Sequence, residues 1–513
     1  MAEVRAEYDA ARYRSNRFLR QVSLPVNGAS ADYHIRNQRW FLTMVELARH
    51  FERNEPLIRQ AVRRLVCNVN VGGMQLDPDT GDPEVDEHLR SRWQEWSSQP
   101  SVCHAAGKLT FEQMADLGLA RVVIDGDFFA LPLRDGTLQT LEAHRCRTPD
   151  RARRDRGVCG VILDNRARPV AYTFTREPVD PNEQVRVADV RRVPAVDADG
   201  NRLVFHVYNP ERFSQTRGIT ALAPVTTVLG MRDDLDFAML VKAQVSACVA
   251  FFRERELGSM ASSDGSELGE QTSSTWADGT GFTQTSLHPG MILQGEPGEK
   301  LSGFSPSIPS EPYFEHVRLL LTYLAVNLDL PLIVLLLDAR EANFSSYRNV
   351  IDQARATYGK IQSWFASQFH AEVYRWKVRQ WLLNDPELQA FARTKSVADL
   401  MRHRWNPVGW PYIQPVHDAT ANLLELANGM TSPRRFAAKR GTDWVVLARE
   451  IVEDRAFAIR LAAEAARQLS DELGVDVHWR DLIPTPTAQG IRLALSGDEA
   501  NPNGVNDAAD EMD

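Results

Sequence analysis

Long hydrophobic runs are missing from this 513-residue chain. Its strongest apolar stretch, Leu332–Leu337, is far shorter than the roughly 20 residues a bilayer-spanning helix needs, so no membrane association is expected. Cysteine is sparse. Cys67, Cys103, Cys146, Cys159 and Cys248 are odd in number and scattered, which argues against a disulfide framework and for a reducing compartment. The first residues, MAEVRAEYDAARYRSNRF, lack the apolar centre of a signal peptide, and a soluble protein made in the cytoplasm is expected. A positive excess is also missing. With 59 Lys and Arg against 68 Asp and Glu the net charge is -9. That disfavours tight duplex binding through phosphate neutralisation, while an acidic wall, which repels phosphate, leaves slippery DNA contact open.

Catalytic signatures are equally scarce. Gly295-Glu296-Pro297-Gly298-Glu299-Lys300 has neither the spacing of a phosphate-binding loop nor the Ser or Thr after its lysine. There is no G-x-S-x-G elbow and no H-E-x-x-H pair. His144, Cys146 and Cys159 offer three metal-ligand types, but no C-x-x-C accompanies them, and structural roles are the better reading. Cys103-His104 are adjacent, which rarely lets thiol and imidazole face each other. Asp125-Gly126-Asp127 sits between apolar runs and reads as a hairpin turn before it reads as an acid–base pair. Lys242, alone on a mostly apolar helical stretch, reads as snorkelling or facing a neighbouring subunit. No catalytic residue, metal or cofactor is expected. The competing reading is a soluble α+β hydrolase using His144, Asp125 and Asp127.

What is present is an ordinary globular composition, 43% hydrophobic and 25% charged, with a clear order of segments. Leu42, Val45, Leu47, Phe51, Leu57, Ala61 and Leu65 recur at helical spacing from about Trp40 to Cys67, with a break at Pro56. Helices are expected near Val85–Trp96 and Phe111–Leu119. Strands follow at Arg121–Ile124, Phe128–Leu133, Val158–Asp164, Val170–Phe174 and Arg202–Tyr208. One long helix is expected over Pro224–Glu256, a rod of roughly 50 Å. Gly258–Gly281, rich in Ser, Gly, Thr and Asp, reads as a mobile loop, with short strands at Met291–Leu293 and Leu301–Phe304. A second helix runs from Glu311 to about Leu328, and Pro331 ends it. The two helices bracket a small module: a rod out, a tip, a rod back.

Next comes the most informative stretch, LPLIVLLLDAREANFSSYRNVIDQARA over 330–356. A polar knot of Asp338, Arg340, Glu341, Asn343, Ser345, Ser346 and Arg348 separates an apolar run from a long helix expected over Ser345–Leu383. Such a knot can cap the helix, form an active-site loop or line a surface for an extended ligand. The spacing of Asp338, Asn343, Ser345-Ser346 and Arg348 resembles the D-x-S-x-x-N-Y-S-S-x-R element of the lambda-type portal proteins of tailed bacteriophages. Asp125-Gly126-Asp127-Phe128 resembles that family's DGE-aromatic strand pair, Pro169-Val170-Ala171-Tyr172 its D-x-x-G-R-P-V-A-Y strand, and the run from Val193-Pro194-Ala195 through His206, Arg212, Gln215 and Arg217-Gly218 to Leu222-Ala223-Pro224 its V-P-A…H…R-x-G-Q-x-R-G…L-A-P run. Trp410-Pro411 and Pro415 are similar to a late W-P-x-x-x-P element. Phe344 stands where tyrosine is usual, and His144-Arg145 where an Asp-Arg pair is common.

The resemblance implies an α+β portal fold. Its parts would be an N-terminal arm (1–39), a mixed wing (40–217), a stem helix (218–256), a small α/β clip (257–310) and a second stem helix (311–337). A tunnel loop (338–349), a long wing or crown helix (350–383), a helical crown (384–495) and a disordered acidic tail (496–513) would follow. It further implies a homo-oligomeric ring of twelve subunits at one capsid vertex of the virion, assembled in the host cytoplasm. Implied partners are double-stranded DNA held transiently and without sequence preference, the terminase motor, the major capsid or scaffold protein, and a head-completion or adaptor protein. Asp338, Arg340, Glu341, Asn343, Ser345, Ser346 and Arg348 would line the channel, and Lys242 would sit on the stem.

Overall fold

The computed structural model describes residues 38–149, 157–248, 251–255, 271–275, 281–285, 299–303, 311–338, 344–411, 413 and 415–482. The chain divides into two compact units, one of residues 1–66 and 100–368, the other of residues 67–99 and 369–513. The arm expected over 1–39 lies almost wholly outside the described residues, and the tail over 496–513 wholly so.

The first unit opens with helix α1, Gln38–Asn54, followed after one residue by α2, Pro56–Val69. Proline at the start of α2 costs no hydrogen bond, because a first-turn N–H has no partner within the helix. Phe41, Leu42, Met44, Val45, Leu47, Ala48 and Phe51 bury one broad face of α1. Helix α3, Phe111–Asp125, starts with a reciprocal capping box between Thr110 and Gln113 and ends at Gly126, where φ is 94°. Two strands were expected to flank an Asp-Gly-Asp turn. Instead Arg121–Ile124 continues α3, Gly126 turns the chain, and Asp127 begins a strand. Val122, Val123 and Ile124 are as compatible with a buried helix as with a strand, and the capping box upstream decides it.

That strand, β1 (Asp127–Pro132), is the centre of an antiparallel sheet between β2 (Leu138–Glu142) and β7 (Phe205–Tyr208). A second antiparallel sheet has the order β3 (Gly157–Val158), β4 (Val161–Leu163), β5 (Pro169–Thr175), β6 (Val190–Pro194). One core joins the sheets: Phe129 packs with Cys146, Val161, Tyr172, Phe174 and Val193. The Phe129 ring stacks on His206 at 4.4 Å and meets Phe174 edge-on at 5.1 Å.

Beyond the sheets, α4 (Thr226–Cys248) and α5 (Glu311–Asn327) form the expected pair of rods. At 1.5 Å per residue α4 is about 35 Å long, shorter than expected, because Phe251–Arg255 forms strand β8 instead of a last helical turn. Adjacent phenylalanines suit a ladder. β8 pairs antiparallel with β11 (Glu299–Gly303), Phe251 opposite Gly303. The expected loop over Gly258–Gly281 contains strand β9 (Gln271–Thr275), paired with β10 (Gly281–Thr285). Its β-branched threonines favour that pairing. The rest of that loop, and Met291–Leu293, lie outside the described residues. After α5, a short helix α6 (Leu332–Leu336) ends at Leu337, whose φ of 55° is left-handed. Helix α7 spans Phe344–Phe365 and continues through a π-helical turn, Ala366–His370, into a helix over Ala371–Asn384.

The second unit pairs strands Met74–Pro78 and His403–Pro407 antiparallel. Around them lie helices Pro83–Ser98, Ala371–Asn384, Pro415–Ala427, Pro433–Lys439 and Trp444–Leu473. Its core is aromatic: Trp93 lies 5.1 Å from Trp96, 5.8 Å from Tyr374 and 5.3 Å from Trp405, centroid to centroid. The buried Lys377 ammonium sits 4.9, 5.1 and 5.4 Å from the rings of Trp96, Trp376 and Trp381. It donates to Gln380 Oε1 at 2.6 Å.

Candidate functional site

The polar knot is only partly described. Asp338 is exposed just past the left-handed Leu337. Arg340, Glu341 and Asn343 lie outside the described residues. Ser345 and Ser346 fall in the first turn of α7. Arg348 Nε lies 3.8 Å from Asp352 Oδ2, one helical turn on, with both side chains well exposed. Lys242 is exposed on α4. An exposed ion pair at that distance holds little energy.

The residues of the hydrolase reading are fully described, and each has structural employment. Asp127 and Arg217 are both wholly buried. Arg217 Nε donates to Asp127 Oδ2 at 2.5 Å and Nη2 to Oδ1 at 2.9 Å. The other donors reach the carbonyls of Cys146 (2.8 Å), Cys159 (2.5 Å) and Ala143 (2.8 Å). All five guanidinium N–H groups are therefore used. Phe41 and Phe129 present their rings to the same guanidinium at 4.6 and 5.2 Å. Asp127 Oδ2 also lies 3.0 Å from His206 Nε2 and accepts from the backbone N–H of Gly218 at 3.1 Å. Burial alone would push the Asp127 carboxyl up, but the charge and hydrogen bonds of Arg217, with those of His206, hold it well below the usual range. Burial, against the pull of Asp127, lowers the His206 imidazole.

Asp125 makes a parallel pair. Arg49 Nε and Nη2 donate to its two oxygens at 2.8 and 2.6 Å, and burial pushes its carboxyl up against that pull. His144 is lowered to about 4 by burial and by the nearby Arg49 and Arg147 charges, which outweigh Glu142. The Cys146 thiol is pushed up to about 12 by burial, so at neutral pH it is a protonated core side chain. Cys103 Sγ donates to the Leu109 carbonyl at 3.3 Å, while His104 Nδ1 accepts from the Lys108 N–H at 3.3 Å. Among the described residues no three His, Cys, Asp or Glu side chains are grouped to hold a metal ion. No helix there is long and apolar enough to cross a membrane.

This buried centre fixes the root of the rods. Gly126 and Gly218 touch: a Cβ on Gly218 would lie 1.9 Å from the Gly126 carbonyl oxygen. The N–H of Ala221 donates to the Val123 carbonyl at 2.9 Å. Asn327, at the end of α5, donates to the Ala221 carbonyl at 2.7 Å. Further out, Tyr313 Oη donates to Asp236 Oδ1 at 2.7 Å, tying α5 to α4. Arg232 on α4 donates to Glu55, between α1 and α2, at 2.8 Å. Gln215 completes the approach: its amide donates to the Arg217 carbonyl at 2.9 Å, and its backbone carbonyl accepts from Tyr208 Oη at 2.9 Å. Sequence reasoning named Asp127, His206, Gln215, Arg217 and Gly218 without bringing them together. The signal was an isolated Arg-Gly after a strand and an acidic residue opening another, which as a buried pair must find each other.

The ionic joint at the base of α4 and α5 thus has every Arg217 donor engaged within the fold. The family model described as phage portal protein, lambda family, matches residues 19–362. The chain belongs to that family, whose role is structural. The match ends before the Trp410-Pro411…Pro415 element. Similar solved structures include the neck of an empty gene transfer agent (GTA) particle computed with C6 symmetry, 12% identical over 64% of this chain and 82% of that one, TM-score 0.38. The virion of the native particle is 13% identical over 77% and 93%, TM-score 0.38. The neck of the native particle computed with C12 symmetry is 10% identical over 68% and 92%, TM-score 0.38.

Proposed function

We propose that this portal protein forms a homo-oligomeric ring, of twelve copies, at one vertex of the capsid. Double-stranded DNA would pass through its centre during packaging and ejection. The ring is also the docking platform for the terminase motor, for a head-completion or adaptor protein, and for the major capsid or scaffold protein. It assembles in the host cytoplasm and stays in the virion. The observation that carries this reading is the family match over 19–362. Residues 40–217 serve as the wing, the pair α4 and α5 as the stem, the intervening strands as the clip, and the region beyond 384 as the crown.

The conduit is passive. ATP hydrolysis belongs to the separate motor, in keeping with the missing phosphate-binding loop. The loop at 338–349 reaches toward DNA from each subunit: Arg340 and Arg348 touch phosphate while Asp338 and Glu341 limit the grip. A cap on α7 from Ser345 or Ser346 is compatible with that role. Net charge supports a slippery channel, since twelve copies at -9 each give 12 × -9 = -108, a field that reaches roughly a Debye length, about 8 Å.

Electron microscopy and mass measurement of the purified full chain test the ring; a strictly monomeric particle at micromolar concentration, with scaffold supplied, refutes it. Alanine at both Arg340 and Glu341 is expected to leave rings intact and reduce DNA packaged or retained. Loss of rings with normal DNA handling in those that remain would overturn the loop assignment.

A further inference from the structure

The second unit carries a cleft of about 640 Å³ that nothing in the ring assignment above employs. Its walls come from three stretches of chain. Arg404 and Asn406 share one face of the strand His403–Pro407, with Asp77 opposite Arg404 on the paired strand and Asp79 just beyond that strand's end. Arg434 and Arg435 stand on the helix Pro433–Lys439, which Ser432 caps by accepting from the Arg435 N–H at 3.2 Å. The N–H of Gly409, just past the strand, donates to the Lys439 carbonyl at 2.6 Å and so holds helix and strand together. From Asn428 to Arg440 the sequence, NGMTSPRRFAAKR, has four cations and no carboxylate, in a chain whose net charge is -9.

The charges that line the cleft are unevenly matched. Asp79 is held by Arg404 at 2.9 Å and by Arg402 at 3.9 Å, and Asp77 by Arg90 at 3.8 Å. Burial lifts the Asp77 carboxyl above its ordinary value despite the charges of Arg434, Arg90 and Arg404, so the floor is partly withdrawn from water. Charges attract more strongly there than in bulk solvent. Arg434 and Arg435 are exposed at the rim, and among the described residues neither has a carboxylate at ion-pair distance. Each guanidinium offers five donors in a planar fork, which suits carboxylate or phosphate oxygens taken two at a time. The neighbouring Asp77 and Asp79 repel a dense phosphate chain more than they repel single carboxylates spaced along a peptide.

We infer that this cleft takes the acidic tail of its own chain, residues 496–513, with Arg434 and Arg435 binding the tail's carboxylates. The tail lies outside the described residues, but its sequence, SGDEANPNGVNDAADEMD, has six carboxylates and no cation. That is the reverse of the Asn428–Arg440 stretch. The described chain runs to Leu482, in the same compact unit as the cleft. Residues 483–497, fully extended, span up to about 50 Å, against a radius of gyration of about 15 Å for a unit of this size. The tail therefore reaches the cleft from any side of the unit. Tethering holds it at an effective concentration in the millimolar range, so a contact too weak to retain a free peptide is still occupied. Docked there, the tail cancels a basic stretch that would otherwise attract polyanions. The contact lies within one chain and does not depend on the ring.

The test uses the full chain with Cys67 and Cys248 replaced by serine, and a short bis-maleimide. Met430 lines the cleft and is 79% exposed, so Met430→Cys marks the rim and Ala509→Cys marks the tail. Peptide mapping by mass spectrometry is expected to find a 430–509 link at physiological salt. Mixing isotope-labelled with unlabelled chains should show that the link forms within one chain. At 1 M salt, where the Debye length falls to about 3 Å, the yield should drop at least about fivefold. Arg434→Glu together with Arg435→Glu should lower it by a similar factor and leave the melting of the second unit unchanged, because both side chains are exposed. Val187→Cys with Ala509→Cys supplies the collision background, Val187 being 61% exposed in the first unit. A 430–509 yield no higher than that background, a yield that neither salt nor the charge reversals alter, or links formed only between chains would overturn the contact. Equimolar duplex DNA that displaces the link would also overturn it and assign the cleft to phosphate.

Discussion

Arg217→Met is the sharpest perturbation of the wing. It preserves an unbranched, largely apolar side chain between Phe41 and Phe129 but deletes five donors at once. Asp127 is then a carboxylate with no exposure, left with only His206 and the Gly218 N–H as partners. Removing one partner of a buried pair costs about 3–5 kcal/mol. The carbonyls of Ala143, Cys146 and Cys159 lose a donor as well, at about 1–3 kcal/mol for each that stays dry. The combined loss, about 5 kcal/mol or more, rivals the roughly 5–15 kcal/mol by which a domain is stable. Hydrogen exchange across β1 and β7 is the assay, because a chain of two units gives no single unfolding free energy. Adding Asp127→Asn to Arg217→Met removes the orphan charge and should recover about 1–3 kcal/mol. A loss below about 1 kcal/mol for Arg217→Met, or a double variant no better than the single one, refutes the reasoning. The pH dependence has a definite sign. The folded Asp127 carboxyl lies below its ordinary 3.8, so its contribution is complete above that value and fades as pH falls toward the lower folded value. The gap between parent and double variant should therefore narrow below pH 4.

His144 should give a separate, higher pH window with the same sign, stability falling on acidification. Its folded value of about 4 lies below the ordinary 6.5, so the unfolded chain binds the extra proton and the parent loses up to roughly 3 kcal/mol between pH 6.5 and 4. His144→Gln is expected to flatten that stretch of a stability-against-pH curve, and an unchanged slope would count against it. Gly218→Ala should cost about 2–4 kcal/mol in denaturant titration of the wing, since its Cβ would overlap the Gly126 backbone. Gly359→Ala, in α7 with nothing within 4 Å, should instead gain about 0.5–1 kcal/mol. Lys377→Met should lower the second unit's stability by about 1–2 kcal/mol and change its tryptophan emission; identical emission and melting would contradict the ring contacts.

Much of the element order was readable because it rests on periodicity and punctuation. The break at Pro56, the strand at Pro169–Thr175 and the two rods with a strand-bearing tip are all of this kind. Helix ends were less readable. Val122–Ile124 and Phe251-Phe252 are apolar runs that fit helix or strand equally, and non-local pairing or an upstream cap decides between them. The ionic joint was not readable as a joint. Asp127 and Arg217 are 90 residues apart in sequence, and no local pattern reports that both are buried. Exposure on the long helix was not readable either: Met231 and Leu240 face solvent in the single subunit. A sequence pattern records that a face will be covered and says nothing of which chain covers it.

The resemblance that identifies the family and the residues that would meet DNA belong to different parts of the physics. Asp127, His206, Gln215, Arg217 and Gly218, which carried much of the resemblance, are the members of one buried network. Buried charge is tolerable only when every partner is present, so this set cannot drift one residue at a time. The pairs Arg49–Asp125 and Arg217–Asp127 also cancel internally, each one positive against one negative. The net charge of -9 is therefore carried outside these two pairs. In the ring proposed above, such a subunit would separate two tasks: a charge-balanced buried joint at the base of α4 and α5, and charges outside it that would act on DNA.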